Sequence, residues 1–271
     1  MTLKFDKYHG CGNDFIMIDN LDGHYDGKLD TNLINTLCNR RYGIGADGLI
    51  LLSRSDSEDF KMIYYNADGN ESTMCGNGGR CIVAFAKALG VIKGKCTFDA
   101  IDGQHYAEIS NDGIVNLIMS DVEGIAALAD DFVLDTGSPH YIRMVEDIEQ
   151  FDVFVEGRSI RNSEAFAKDG INVNFVEKVG EDYRIRTYER GVEAETDACG
   201  TGVTAAALVL SGYYNAGTSI NLQTNGGLLT VEIGKKDGDT FEDISLIGPA
   251  VKVYTGSVEI SFLTESSPSI L

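Results

Sequence analysis

Basic residues are scarce in this 271-residue chain: 22 Lys and Arg stand against 42 Asp and Glu, a formal net charge of −20. Such a field repels phosphate backbones and anionic lipid, which argues against nucleic-acid and membrane partners. Prolines number only three (Pro139, Pro249, Pro268) and hydrophobic residues make up 43%, so the composition is that of a globular protein and not of a disordered or collagenous one. No apolar run approaches the roughly 18 residues of a membrane span, and the opening MTLKFDKYHG has no basic stretch leading into an apolar one. A soluble, cytoplasmic protein is expected. The six cysteines (Cys11, Cys38, Cys75, Cys81, Cys96, Cys199) are sparse and contain no CxxC pair, so free thiols are expected in place of a disulfide framework. The four histidines (His9, His24, His105, His140) show neither HxxxH nor HxxEH spacing, and no metal site is expected.

What the chain does contain is an internal repeat. Slid against itself by 124 residues, the separation of Cys75 and Cys199, the sequence aligns Tyr64 with Tyr188, Glu71 with Glu195, and Gly78 with Gly202. Farther on Gly103 meets Gly227 and Glu108-Ile109 meets Glu232-Ile233, with no insertion between. A period this long exceeds a solenoid unit and matches a small domain, as a length of nearly twice about 150 residues also implies. Each copy reads as a strand (FKMIYYN; YRIRTYE), a polar Gly-rich turn, Cys-Gly-x-Gly, and an Ala-rich apolar segment (IVAFAKALG; TAAALVLSGYY). With too few polar positions for a solvent face, both segments predict helices buried all round. Strand signals flank them: DFIMID, GLILL, CTFDA, HYAEIS and VNLIMS, then FVLDT, YIRMV, INVNFV, LLTVEI, DISLIG and VKVYT. The expected fold is α+β, with two pseudo-twofold-related domains, each a mixed β-sheet curled around a central α-helix. Their expected bounds are 1–120 and 121–251, with a strand over about 252–264 returning to the first domain and TESSPSIL as a frayed tail.

Chemistry is expected at the two Cys-Gly-x-Gly elements. Each falls where a turn feeds the first turn of a helix, whose leading N–H groups lack partners and carry about half a positive charge. Glycine lets a ligand approach that backbone, and a cysteine at a helix N-terminus ionises more readily than the ordinary thiol. If the two halves face one cleft, two helix ends would hold one small carboxylate, with its α-carbon between two sulfurs at about 3–3.5 Å. That arrangement describes a two-base racemase or epimerase: one thiolate removes the α-proton while the opposing thiol delivers another. Cys11, Cys38, Cys81 and Cys96 lack such pairing and are read as small buried hydrophobes. GIGADG at 43–48 has GxGxxG spacing but precedes the apolar GLILL instead of following a strand, and CGNGGRC lacks the ending of a P-loop.

The segments H9-G-C-G-N-D-F15, N66-A-D-G-N-E71, C75-G-N-G-G-R-C81, Y188-E-R-G191 and E195-T-D-A-C-G-T-G202 closely resemble those of diaminopimelate epimerases, in order and spacing over nearly the whole chain. The resemblance implies cofactor-independent interconversion of LL- and meso-diaminopimelate, a step toward lysine and wall cross-links, commonly in a homodimer. It makes Cys75 and Cys199 the acid/base pair and sets the α-carboxylate on the backbone of Gly76, Asn77, Gly200 and Thr201. Asn13, Asn66 and Asn172 match substrate-binding asparagines, and Glu189-Arg190 matches the pair at the distal carboxylate, where a guanidinium can fork onto it. His140 and Glu189 match residues that tune the cysteines.

Two positions depart from the family pattern. Ser138 stands where many members have Asn in Gly-Asn-Pro-His, and Gly48 where some have a binding Gln. A hydroxyl is shorter than an amide, so a water-bridged or lost distal contact is expected at Ser138. The alternatives are a two-cysteine relative acting on a monocarboxylic amino acid, as proline racemase does, a thiol-redox protein, and a noncatalytic amino-acid-binding module.

Overall fold

The computed structural model describes residues 1–260, so the end of the expected closing strand (261–264) and the TESSPSIL segment lie outside the described residues. The described chain divides into two compact units: Met1–Val115 with the segment from Pro249 onward, and Asn116–Gly248.

The first unit runs β1 (Thr2–Gly10), β2 (Asn13–Asn20), α1 (Thr31–Cys38), β3 (Gly48–Ser53), β4 (Phe60–Asn66), β5 (Glu71–Ser72), α2 (Gly76–Ala88), β6 (Lys95–Ala100) and β7 (Gly103–Ile109). The chain leaves it through β8 (Ile114–Ile118). The second unit continues with β9 (Val122–Glu123), β10 (Ala126–Leu128), β11 (Asp131–Asp135), β12 (Pro139–Met144), α3 (Val153–Arg161), β13 (Asn172–Val179) and β14 (Asp182–Glu189). It ends with β15 (Ala194–Thr196), α4 (Gly200–Tyr213), β16 (Ser219–Gln223), β17 (Leu228–Asp237) and β18 (Thr240–Pro249), after which β19 (Val251–Glu259) pairs antiparallel with β1. All the strands expected from the sequence within the described residues are present; β1, α1, α3 and several short strands were not anticipated.

Both sheets are mixed and wired alike. In the first, the order β19-β1-β2-β3-β4-β6-β7 is parallel only at β2–β3 and β4–β6. In the second, β11-β12-β13-β14-β16-β17-β18 is parallel only at the equivalent β12–β13 and β14–β16. The repeat reaches the register itself, since Lys95 faces Glu108 as Ser219 faces Glu232. Slips of one residue interrupt it elsewhere: Leu49 faces Tyr65, whereas Val173 faces Tyr188, the counterpart of Tyr64, and Phe60 faces Phe98, whereas its counterpart Arg184 faces Gln223.

Phe15, Ile16, Met17 and Ile18 on β2 and Leu49 to Leu52 on β3 are all buried, the continuous apolar reading of strands covered on both faces. Ile16, Ile18, Leu49 and Leu51 pack with Leu33, Ile34 and Leu37 of α1. The intervening Ile50 approaches Gly78 on α2, which packs on β1, β2, β3 and β7. In the second unit α4 packs on β11, β12, β13, β16 and β17, while Val153 of α3 joins Val173, Phe175 and Tyr188. All-round burial holds for α4, which buries every residue from Gly202 to Ser211. In α2 it holds from Gly76 to Val83 and at Phe85 and Ala86, but Ala84 and Lys87 are half-buried and Ala88 and Leu89 exposed, so the end of the expected IVAFAKALG segment faces solvent. No helix among the described residues is long and apolar enough to cross a membrane.

Candidate active site

Burial separates the six cysteines: Cys11, Cys38, Cys81 and Cys96 are buried, while Cys75 and Cys199 are half-buried. Burial pushes the Cys38 and Cys96 thiols up to about 12 and Cys81 higher still. Those thiols stay protonated at neutral pH.

Cys75 is the N-cap of α2, in extended backbone (φ −103°, ψ 146°), and its sulfur accepts the backbone N–H of Gly78 at 3.2 Å. A Cβ at Gly78 would sit 3.1 Å from that sulfur, so glycine there lets the thiol lie on the helix end. Gly76 and Asn77 occupy the first turn, both buried. The Asn77 amide donates to Asn13 Oδ1 at 3.2 Å, and Asn13 donates to Asp47 Oδ2 at 2.8 Å. Asp14 anchors this wall: Lys7 and Arg40 each approach it at 2.7 Å, and although burial alone would raise its carboxyl, they hold it down at about 2. Asn13 follows the hairpin turn Cys11-Gly12, where both residues have positive φ (53° and 87°), as a two-residue turn between twisted strands requires. Asn66 ends β4, solvent-exposed.

Cys199 is the N-cap of α4 but makes no side-chain cap. Its sulfur lies 3.5 Å from Thr201 Oγ1. The chemistry behind Thr201 is buried and directional. Asn174 Nδ2 donates to the Tyr141 carbonyl at 3.0 Å, which fixes its amide orientation, and it also meets His140 Nδ1 at 3.1 Å. His140 therefore accepts at Nδ1 and donates from Nε2 to Thr201 Oγ1 at 2.9 Å, leaving the threonine proton for the sulfur. Burial, with the Arg190 charge acting in the same direction, pushes the His140 imidazole down to about 3, so it is neutral around pH 7. His140 thus reaches Cys199 through Thr201. Gly202 makes room for this relay, because a Cβ there would lie 2.3 Å from Asn174 Oδ1.

Asn172 and Arg190 meet beside it. The backbone N–H of Arg190 donates to Asn172 Oδ1 at 2.9 Å, and Asn172 Nδ2 donates to Ser138 Oγ at 2.9 Å. The exposed Arg190 guanidinium donates to the Asp169 carbonyl at 3.1 Å and to Ser138 Oγ at 3.4 Å. Glu189 accepts from Thr196 Oγ1 at 3.0 Å. The structure thus gathers Asn13, Gly76 and Asn77 near Cys75, and His140, Gly200 and Thr201 near Cys199, with Asn172 and Arg190 joined through Ser138. Among the described residues, no group of three or more His, Cys, Asp or Glu could hold a metal ion.

The model of the family described as diaminopimelate epimerase matches this chain twice, over residues 5–123 and 132–260. The diaminopimelate epimerase of Flavobacterium psychrophilum is 49% identical over 260 residues, 94% of this chain and 100% of that one. That of Chlorobaculum tepidum is 43% identical, covering 93% and 99%. The chain belongs to the diaminopimelate epimerase family. Its relatives are isomerases by name. Among solved structures, a PhzF-family phenazine biosynthesis protein of Bacillus anthracis superposes with a TM-score of 0.77 at 14% identity, covering 96% and 99%. A hydroxyproline epimerase of Agrobacterium vitis gives 0.66 at 15%, covering 95% and 92%, a likeness of fold.

Both departures from the pattern of the diaminopimelate epimerase family have a physical setting. A Cβ at position 48 would lie 2.6 Å from Tyr64 Cε2 and 2.7 Å from the Tyr65 carbonyl, so this packing excludes any longer residue. Ser138 accepts from both Asn172 and Arg190, which uses its two lone pairs and leaves its O–H to donate outward. Sequence reasoning missed Arg80, Asn174 and Thr187, whose hydroxyl donates to Asn174 Oδ1 at 2.9 Å. The available signal was position: a cation between the Cys-Gly-x-Gly turn and a segment read as a helix buried all round, and asparagines alternating with apolar residues in INVNFV.

Proposed function

We propose that this protein interconverts LL- and meso-2,6-diaminopimelate without a cofactor, with Cys75 and Cys199 as the acid/base pair. The observation that carries the reading is that the two half-buried thiols among six are the N-caps of equivalent helices in a repeated fold. In the forward step one sulfur, as thiolate, takes the α-proton, forming S–H as C–H breaks, and the electron pair spreads onto the α-carboxylate. Backbone N–H groups of Gly76, Asn77, Gly200 and Thr201 stabilise that developing charge more than they stabilise the ground state. The other sulfur gives its proton to the opposite face of the carbon, and configuration inverts with no net oxidation. His140 acts through Thr201 on Cys199, and Glu189 is the second tuning group. Asn13, Asn66, Asn172 and Arg190 bind the remaining polar groups of the substrate, with Ser138 offering its hydroxyl to the distal carboxylate. The reading places the reaction in lysine and peptidoglycan precursor synthesis, in the cytoplasm, by a homodimer.

The test is incubation with LL-diaminopimelate in deuterated water. Deuterium should enter at one α-carbon as the meso isomer accumulates; LL-diaminopimelate recovered without deuterium overturns the reading. Cys75→Ser and Cys199→Ser should each slow turnover by about 10² to 10⁴.

A further inference from the structure

Arg80 sits in the interior of α2 with no exposed surface. No salt bridge among the described residues includes it. Its guanidinium folds back along the helix to donate to the Gly76 carbonyl at 3.0 Å, Asn77 Oδ1 at 2.9 Å and the Pro249 carbonyl at 3.4 Å. Every one of these acceptors is neutral. A desolvated cation with neutral acceptors alone is costly, and a nearby anion would offset much of that cost. The ionisable groups beside it are the thiols of Cys11, Cys75 and Cys81, and it hydrogen-bonds Cys11. Burial raises both the Cys11 and Cys81 thiols despite the cation. Cys75 differs from both: it is half-buried, and its sulfur already accepts a helix N–H.

The second copy of the repeat supplies the contrast. At the offset of 124, Arg80 corresponds to Thr204, which is buried and donates to the Gly200 carbonyl at 3.0 Å, as Arg80 does to the equivalent Gly76 carbonyl. The same carbonyl is therefore met by a cation in one copy and by a neutral hydroxyl in the other. Cys199 has a neutral imidazole behind its threonine, and the Arg190 guanidinium is exposed and engaged by Asp169 and Ser138.

We propose that Arg80 is a positioning residue that holds Cys75 as the thiolate of the resting protein and leaves Cys199 as the thiol. This deepens the two-thiol reading above and rests on it. Asp14 is paired with Lys7 and Arg40, and Asp102, which accepts the Met74 N–H at 3.2 Å, faces His105 at 3.3 Å. Tyr8, against Phe85 of α2, is held protonated, its phenol pushed up to about 12 by burial. In a turnover that starts at Cys75, the sulfur gains the substrate proton and Cys199 becomes the thiolate. Return of one proton from Cys75 to Cys199 through solvent resets the protein, and the buried cation makes that return downhill.

The experiment is alkylation of the free protein by iodoacetamide from about pH 5 to 10, following each cysteine by peptide mass spectrometry. In the unaltered protein the rate at Cys75 should rise with a midpoint about one pH unit or more below that at Cys199. Arg80→Met should raise the Cys75 midpoint by a similar amount and leave that of Cys199 in place, while Arg80→Lys, which keeps a cation, should hold it low. Equal midpoints, or a lower one at Cys199, overturn the proposal without any variant having to fold. A folded Arg80→Met protein with an unmoved Cys75 midpoint does so as well. Thiol midpoints are read without substrate, so a protein that shows the shift but exchanges no α-deuterium keeps this inference and loses the function proposed above.

Discussion

Thr201 carries two duties at the residue scale, since its backbone heads α4 and its hydroxyl stands between His140 and Cys199. Thr201→Val keeps the backbone and the shape but removes the donor. A hydrogen bond to a charged group contributes about 1.5–3 kcal/mol, so kcat should fall roughly 10- to 100-fold with KM little changed, and Thr201→Ser should recover most of it. Arg190→Ala should lower kcat/KM on LL-diaminopimelate sharply; unchanged kinetics would count against a dicarboxylic substrate. His140 has a second consequence. Folded it is held near 3, whereas unfolding releases it to its ordinary 6.5, so the unfolded chain binds the extra proton between those values. Stability should therefore fall as pH drops below 6.5. His140→Gln should remove roughly 2–3 kcal/mol of the loss between about pH 7 and 4.5, read from urea midpoints. The two helix-capping cysteines could be found by sliding the sequence against itself, because register survives when identity fades. The side chains behind them could not. Which face of INVNFV meets α4, and where the long Arg80 side chain ends, are set by packing between segments distant in sequence.

Elements tell a similar story. The strands were legible because β2 and β3 are covered on both faces and read as unbroken apolar runs. The helices α1 and α3 were not, since TNLINTLC and VFVEGRSIR are short and rich in residues with little helical preference. They form because Asp30 and Asp152 cap them through the N–H groups of Leu33 (2.8 Å) and Val155 (3.0 Å), and because one face of each packs on a sheet. Two glycines mark the tightest helix contacts. A Cβ at Gly157 on α3 would lie 2.4 Å from Tyr188 Cβ, and one at Gly202 on α4 would meet the buried Asn174 amide. Gly157→Ala should destabilise by about 1–3 kcal/mol without altering the alkylation of either thiol. Gly202→Ala should both destabilise and slow turnover, as it forces the Asn174–His140 pair to shift; thermal melts and steady-state kinetics separate the two cases.

For the molecule as a whole, a net charge of −20 makes compactness an electrostatic liability at low ionic strength. The melting temperature should rise by several degrees between about 10 mM and 200 mM salt, and a flat response would mean that local ion pairs already neutralise the self-repulsion. The pairing of β19 with β1 bears on how the chain is made. Synthesis is vectorial, and residues 116–248 emerge from the ribosome as one uninterrupted stretch, whereas β1, paired on one side with β2, waits for its other neighbour until residues 251–259 are made. The half whose synthesis begins first must therefore finish folding last, with the edge of β1 open in the interim. Nascent chains stalled soon after residue 248 has cleared the exit tunnel should resist protease over the later half and remain digestible over the earlier one.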